Sequence, residues 1–193
     1  MTPPRISTEQ MIALHGFFAH AVALGEASLS ELAGCETEVE VVTIQCAPLS
    51  RFGEEGLRLS DDLVAGVMGR MAGAMPGSAC LVLEPEEALL WARRAGGEAP
   101  LETFVALGQA LLVGIAAALA EVLEAPTELR DARLAEEPEL AMLVRTHAPL
   151  DTMVFSIPLR ILLRDEILTV HVHLLFEPKY ISRLLSALSA AAH

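Results

Sequence analysis

The sequence predicts an α/β domain of the α+β kind: two long helices on a largely antiparallel sheet, with the whole arrangement occurring twice. Three observations carry this. The stretch Pro100–Ala125, PLETFVALGQALLVGIAAALAEVLEA, is apolar around its circumference, with Gln109 and Glu121 its only strongly polar side chains between Phe104 and Leu123. Such a helix is buried on all sides or crosses a membrane. Short β-branched runs bounded by glycine, proline and charge follow each long helical stretch, as the strands of a sheet do. Finally, Glu84-Pro85 and Glu177-Pro178 lie 93 positions apart, each closing an apolar run, LVLEP against LLFEP. At the same offset Glu9, Ala13 and Leu14 fall on Glu102, Ala106 and Leu107. Two copies of so long a unit do not make a solenoid, so the expected form is one domain over 1–193, with pseudo-repeats at about 7–97 and 100–190 related by a pseudo-twofold.

Each element has a local reason. Ser7 and Gln10 stand at capping-box spacing, so a helix starts at residue 8 and runs to Gly34, a C-terminal glycine. Val39–Cys46 (VEVVTIQC) reads as one strand, and a polar connector covers 48–60. LVAGVMGRMAG, the turn composition Ala74-Met75-Pro76-Gly77 and SACLVLE then read as a hairpin. Pro85 opens a helix whose dipole Glu86 and Glu87 complement, ending at Gly96-Gly97. After the second long helix, near 101–124, the order recurs. Thr127–Leu134 is a strand, Pro138 to about His147 a short helix, and MVFSIPLRILL and ILTVHVHLLF a hairpin around Arg164-Asp165-Glu166, before Pro178 opens the last helix. Pro158, lacking a ladder donor, places its strand at an edge or a bulge.

Composition excludes several functions. A formal net charge of −13 is the wrong sign for binding nucleic acid or anionic lipid. Three widely spaced cysteines, Cys35, Cys46 and Cys80, form neither a disulfide framework nor a CxxC knuckle, which fits free thiols in a reducing cytoplasm. The N-terminal MTPPRISTEQ has no apolar h-region of a secretory signal. The membrane question rests on the 100–125 stretch. Gln109 at depth, Glu102 and Glu124 at its ends and no close Lys or Arg anchor favour a buried helix of a soluble protein over a span.

This layout resembles the CheC/CheX/FliY family of bacterial chemotaxis proteins, whose fold is such a duplicated unit. The residues that carry the likeness are LVAGVMGRMAGAMPGSACLVLEPEEALLWARRAG in the first half, and ALGQALLVGIAAALAEVL and VHLLFEPKYISRLLSAL in the second. The resemblance implies a CheC-like fold in the cytoplasm and a CheY-like receiver domain, or another chemotaxis protein, as partner. Active members dephosphorylate phosphorylated CheY with a Glu-x-x-Asn motif near the start of each long helix. There the Asn amide orients an in-line water and the Glu contacts the regulator, and one turn of spacing puts both on one face. The corresponding positions here are Gly16 and Ala19 in the first helix and Ala106 and Gln109 in the second, and the chain contains no Asn at all. The expected product is a non-catalytic binding module using the surface of Gly16, Ala19, Glu102, Ala106 and Gln109. The alternative is a divergent phosphatase centred on Gln109. A second copy of the chain, added at a strand edge, is another expected partner.

The remaining candidates have plainer readings. Gln109 fits a rim amide hydrogen-bonded across the helix pair, and Glu102 a solvated first-turn carboxylate. His171 and His173 share one strand face, but no third ligand accompanies them, so a half-exposed strand explains the alternation better than a metal. No cofactor motif is present: the glycines at 66, 69 and 73 lack a following Lys-Ser/Thr.

Overall fold

A computed structural model of the chain describes residues 6–50, 65–96, 99–135, 151–163 and 166–191. The expected helix at 138–147, most of the 48–60 connector and the turn residues Arg164 and Asp165 lie outside the described residues. Helix α1 (Thr8–Ala33) starts on the capping box: Gln10 N–H donates to Ser7 Oγ at 3.2 Å, and Ser7 N–H donates to Gln10 Oε1 at 3.0 Å. It ends on Gly34 at φ 62°, a left-handed turn that costs glycine nothing. Strands β1 (Thr37–Val41), β2 (Gln45–Pro48), β3 (Ala65–Gly73) and β4 (Gly77–Leu83) follow, then α2 (Pro85–Arg94). The second half comprises α3 (Pro100–Leu123), β5 (Thr127–Ala135), β6 (Met153–Leu163), β7 (Glu166–Phe176) and α4 (Pro178–Ala191).

The strands form one sheet in the order β1-β6-β7-β4-β3-β5, with β2 pairing β6 beyond β1 and every pairing antiparallel. The long helices pack against each other and over one sheet face, where Leu14, Phe18, Leu107, Leu111, Phe155 and Val172 are fully buried in the main core. Burying side chains of this size is the main stabilising term, about 1.5–3 kcal/mol each.

The helices cross on small residues. A Cβ at Gly114 would lie 2.7 Å from the Ala21 carbonyl oxygen and 2.8 Å from the Gly25 nitrogen. Two glycines let the backbones touch.

Four expectations need correction. Val39–Cys46 is not one strand: β1 ends at Val41 and β2 begins at Gln45. The reason is Pro158, which lies inside the sheet in β6 and not at an edge. β1 pairs β6 down to Leu159 and β2 takes over at Ser156, so the break faces Pro158, whose carbonyl accepts from Val42 N–H at 3.0 Å. A residue's N–H and C=O leave a strand on the same side, so the donor that proline lacks is missing where no ladder exists to use it. Next, α3 is not buried all round: Glu102, Gln109, Val113, Ala117 and Glu121 form an exposed stripe. Lastly, α1 as well as α3 is long and apolar enough to cross a membrane, so the question does not rest on one stretch. In this structure both helices spend their apolar faces on each other and on the sheet.

The β1 edge is covered. Val39 N–H donates to the Glu26 carboxylate at 2.8 Å and Thr37 N–H donates to Ser30 Oγ at 3.0 Å, both acceptors projecting from α1. Side chains thus occupy donors that an added strand would need.

Candidate partner-binding surface

The helix pair is antiparallel, and that decides the geometry of the surface. His20 Nε2 meets Glu121 Oε2 at 2.8 Å, while Gly25 meets Gly114 further along. The start of α1 therefore lies beside the end of α3. Gly16 and Ala19 are exposed at one end of the pair, and Glu102, Ala106 and Gln109 sit at the other, with Ala106 half-buried. At 1.5 Å per residue, Gly16 and Gln109 are roughly 20 Å apart along the axis. The two predicted positions make two separate patches.

Among the described residues neither patch brings together a catalytic constellation. Gln109 is exposed and makes no hydrogen bond among the described residues, so it is not the cross-helix amide expected for it. The residues one turn away on its face, Val105, Ala106, Leu112 and Val113, carry no polar side chain. Glu102 is two turns off, about 10 Å along the axis. Gly16 and Ala19 bring no functional group, and a Cβ at Gly16 would meet nothing within 4 Å. The ground at the first patch is open.

Away from the helices, His173 corrects its expected exposure. It is 1% exposed, because β7 is a central strand and its second face is also covered there. Its ring stacks on His171 with centroids 6.3 Å apart. In register beside it stands Cys80, in a small second-face core with Val82, Ala135, Val154 and Leu175. No group of three or more metal-ligating side chains occurs among the described residues.

Burial pushes the Cys80 thiol up from 9.0 to about 12, against a smaller opposing pull from the His173 backbone, and burial likewise pushes Cys46 up to about 12. Above pH 9 the unfolded chain loses thiol protons that the folded chain keeps, so folding stability falls as pH rises towards 12. The slope is at most about 1.4 kcal/mol per pH unit per thiol. Urea melts at pH 8.5 and 10.5 are expected to show a steeper alkaline loss for the parent than for Cys46→Ala/Cys80→Ala. Equal slopes would refute the protection of these thiols.

Two apolar features were not foreseen. A groove of ≈ 440 Å³ lies between the start of α1 and the β1–β2 break, lined by Met11, Ile12, His15 and Ile44 among others. A smaller cavity opens between α2 and the start of α3. The sequence does hint at the second: Ala88–Ala92 is apolar for five residues, more than one face of a helix can bury.

Solved structures carry the same architecture. FliY of Thermotoga maritima aligns with a TM-score of 0.72 at 10% identity, over 97% of this chain and 99% of that one. A chain of the FliG–FliM complex from H. pylori aligns at 0.68 and 11%, over 94% and 100%. A chain of the CheX–CheY complex with BeF3 and magnesium from Borrelia burgdorferi aligns at 0.50 and 15%, over 90% and 99%. This is the CheC/CheX/FliY fold, which FliM shares. No protein-family model matches the sequence, and no curated protein matches it.

Proposed function

We propose that the chain is a cytoplasmic, non-catalytic binding module of chemotaxis-like signalling, which holds a CheY-like receiver domain or a related partner on the outer faces of α1 and α3. The observation that carries this is the helix pair itself. Its crossing and core are intact, while the places where the motif would stand hold Gly16, Ala19, Ala106 and an isolated Gln109. The solved complexes support partner binding as the common property of the fold: CheX stands with CheY in one and FliM with FliG in another. The net charge of −13 favours a partner with a basic rim and binding that weakens with salt.

A single duplicated domain is part of the same reading. Exchanging β1 with β5, β3 with β6 and β4 with β7 returns the same neighbour order across the sheet, which supports it. An experimental structure whose halves do not superpose would remove that part.

The test uses a phosphorylated receiver domain. The parent protein is expected to retain it in a pull-down yet leave its rate of phosphate loss unchanged. Gly16→Glu/Ala19→Asn, which fits the open space at Gly16, is expected to accelerate the loss, since a positioned catalytic group commonly contributes on the order of 10²–10³ in rate. Fast loss with the parent protein that disappears in Gln109→Ala would establish the alternative, a divergent phosphatase.

A further inference from the structure

We propose that the corner between α2 and the start of α3 is a second docking site, for a short amphipathic segment with one aliphatic anchor flanked by Lys or Arg. The cavity there measures ≈ 190 Å³ and is lined by apolar side chains, among them Ala65, Pro85, Ala88, Leu101, Phe104 and Leu134. Two of its lining leucines stand in solvent, Leu101 58% exposed and Leu89 40%, and Leu90, 36% exposed, lines the adjoining depression. Isolated exposed leucines are ordinary, but three at one corner form a patch that water solvates poorly.

Charge selects the occupant. An adjoining depression of ≈ 430 Å³ shares Leu89 with the cavity and is lined also by Glu86, Glu87, Leu90 and Arg93. Glu84 and Glu102, both exposed, adjoin the lining residues Pro85 and Leu101 in the chain. Arg94, another nearby cation, is engaged by Glu166. Among the described residues four carboxylates outnumber Arg93 and Arg133, the latter next in the chain to the lining residue Leu134, so the rim is net acidic and favours a basic flank over an acidic one. The segment's anchor fills the cavity while its Lys or Arg residues meet Glu86 and Glu87, an apolar centre within a polar rim. This corner is distinct from the Gly16 patch, and its occupation does not require a receiver domain.

The probe is a tryptophan-free helical peptide with a leucine stripe flanked by lysines, compared with the same peptide flanked by glutamates. Trp91, the chain's only tryptophan, is fully buried with its ring 6.2 Å from that of Phe104, so its emission reports on the cavity wall. The lysine peptide is expected to shift Trp91 emission and to bind at least about tenfold more tightly than the glutamate peptide. Leu101→Asp is expected to weaken binding at least about tenfold with an unchanged melting temperature, as loss of an anchor does. Glu86→Gln/Glu87→Gln is expected to flatten the salt dependence. Equal binding by both peptides would mean that the rim charge selects nothing, and lysine-peptide binding indifferent to Leu101→Asp would mean adsorption to an acidic surface; either result overturns the proposal. So would a dimer in sedimentation that Leu101→Asp dissociates, since the occupant would then be a second copy.

Discussion

Gly114→Val is expected to abolish stable folding, with Gly114→Ala losing about 1–3 kcal/mol, the usual cost of forcing a methyl group into a filled core. The atoms a Cβ would strike are backbone: Ala21 O at 2.7 Å, Gly25 N at 2.8 Å and Gly25 Cα at 3.1 Å. A side chain can rotate away from an intruder, but a helix backbone has to move as a whole. Moving α1 off α3 loosens the packing of Leu14, Phe18, Leu107 and Leu111 together, so relief of the clash forfeits dispersion energy across a core layer. Valine adds three carbons where alanine adds one, against a total stability of about 5–15 kcal/mol for a domain. Gly25→Ala is expected to be milder, because its nearest obstacles are Ala110 O at 3.1 Å and Leu111 Cα at 3.3 Å. Gly16→Ala, with nothing within 4 Å, is expected to gain about 0.5–1 kcal/mol from helix propensity. Urea melts followed by circular dichroism rank the variants. Equal losses at residues 16, 25 and 114 would show that the crossing is not the tight contact described.

Trp91→Ala is expected to cost about 3–5 kcal/mol, the range for emptying a buried aromatic site. Trp91 is fully buried and meets Phe104 edge-on at 70°, which locks α2 against α3. Its indole Nε1 is buried without a hydrogen-bond partner among the described residues, and an unsatisfied donor costs about 1–3 kcal/mol. Phenylalanine removes that donor while keeping most of the ring, so Trp91→Phe is expected to lose no more than about 1.5 kcal/mol. Alanine and phenylalanine variants of equal stability would mean that the indole volume contributes nothing.

What could be read from the sequence was local, and what escaped was relational. Ser7, Gln10 and Gly34 mark the ends of α1 by hydrogen bonds within a few residues, and the runs of β6 and β7 announce themselves by composition. The break between β1 and β2 escaped because its cause, Pro158, is far along the chain and becomes a neighbour only through sheet pairing. His173 escaped because alternation along β7 says which residues share a face but not whether that face is covered. The candidate surface was legible as residues and not as a place. Gly16 and Gln109 were each visible near a helix start, yet only the antiparallel packing puts them at opposite ends.

The covered β1 edge bears on how copies of this chain would assemble. Growth of a sheet from molecule to molecule needs two adhesive edges, one to receive and one to offer. With Val39 and Thr37 donating to Glu26 and Ser30, the β1 part of one edge is spoken for, and β5, which pairs only β3 among the described residues, lies at the other. A contact between two β5 edges is closed by its own symmetry and stops at two copies, whereas a β1-to-β5 contact would repeat into a fibre. A carboxylate and a hydroxyl on α1 thus stand against fibre growth through β1.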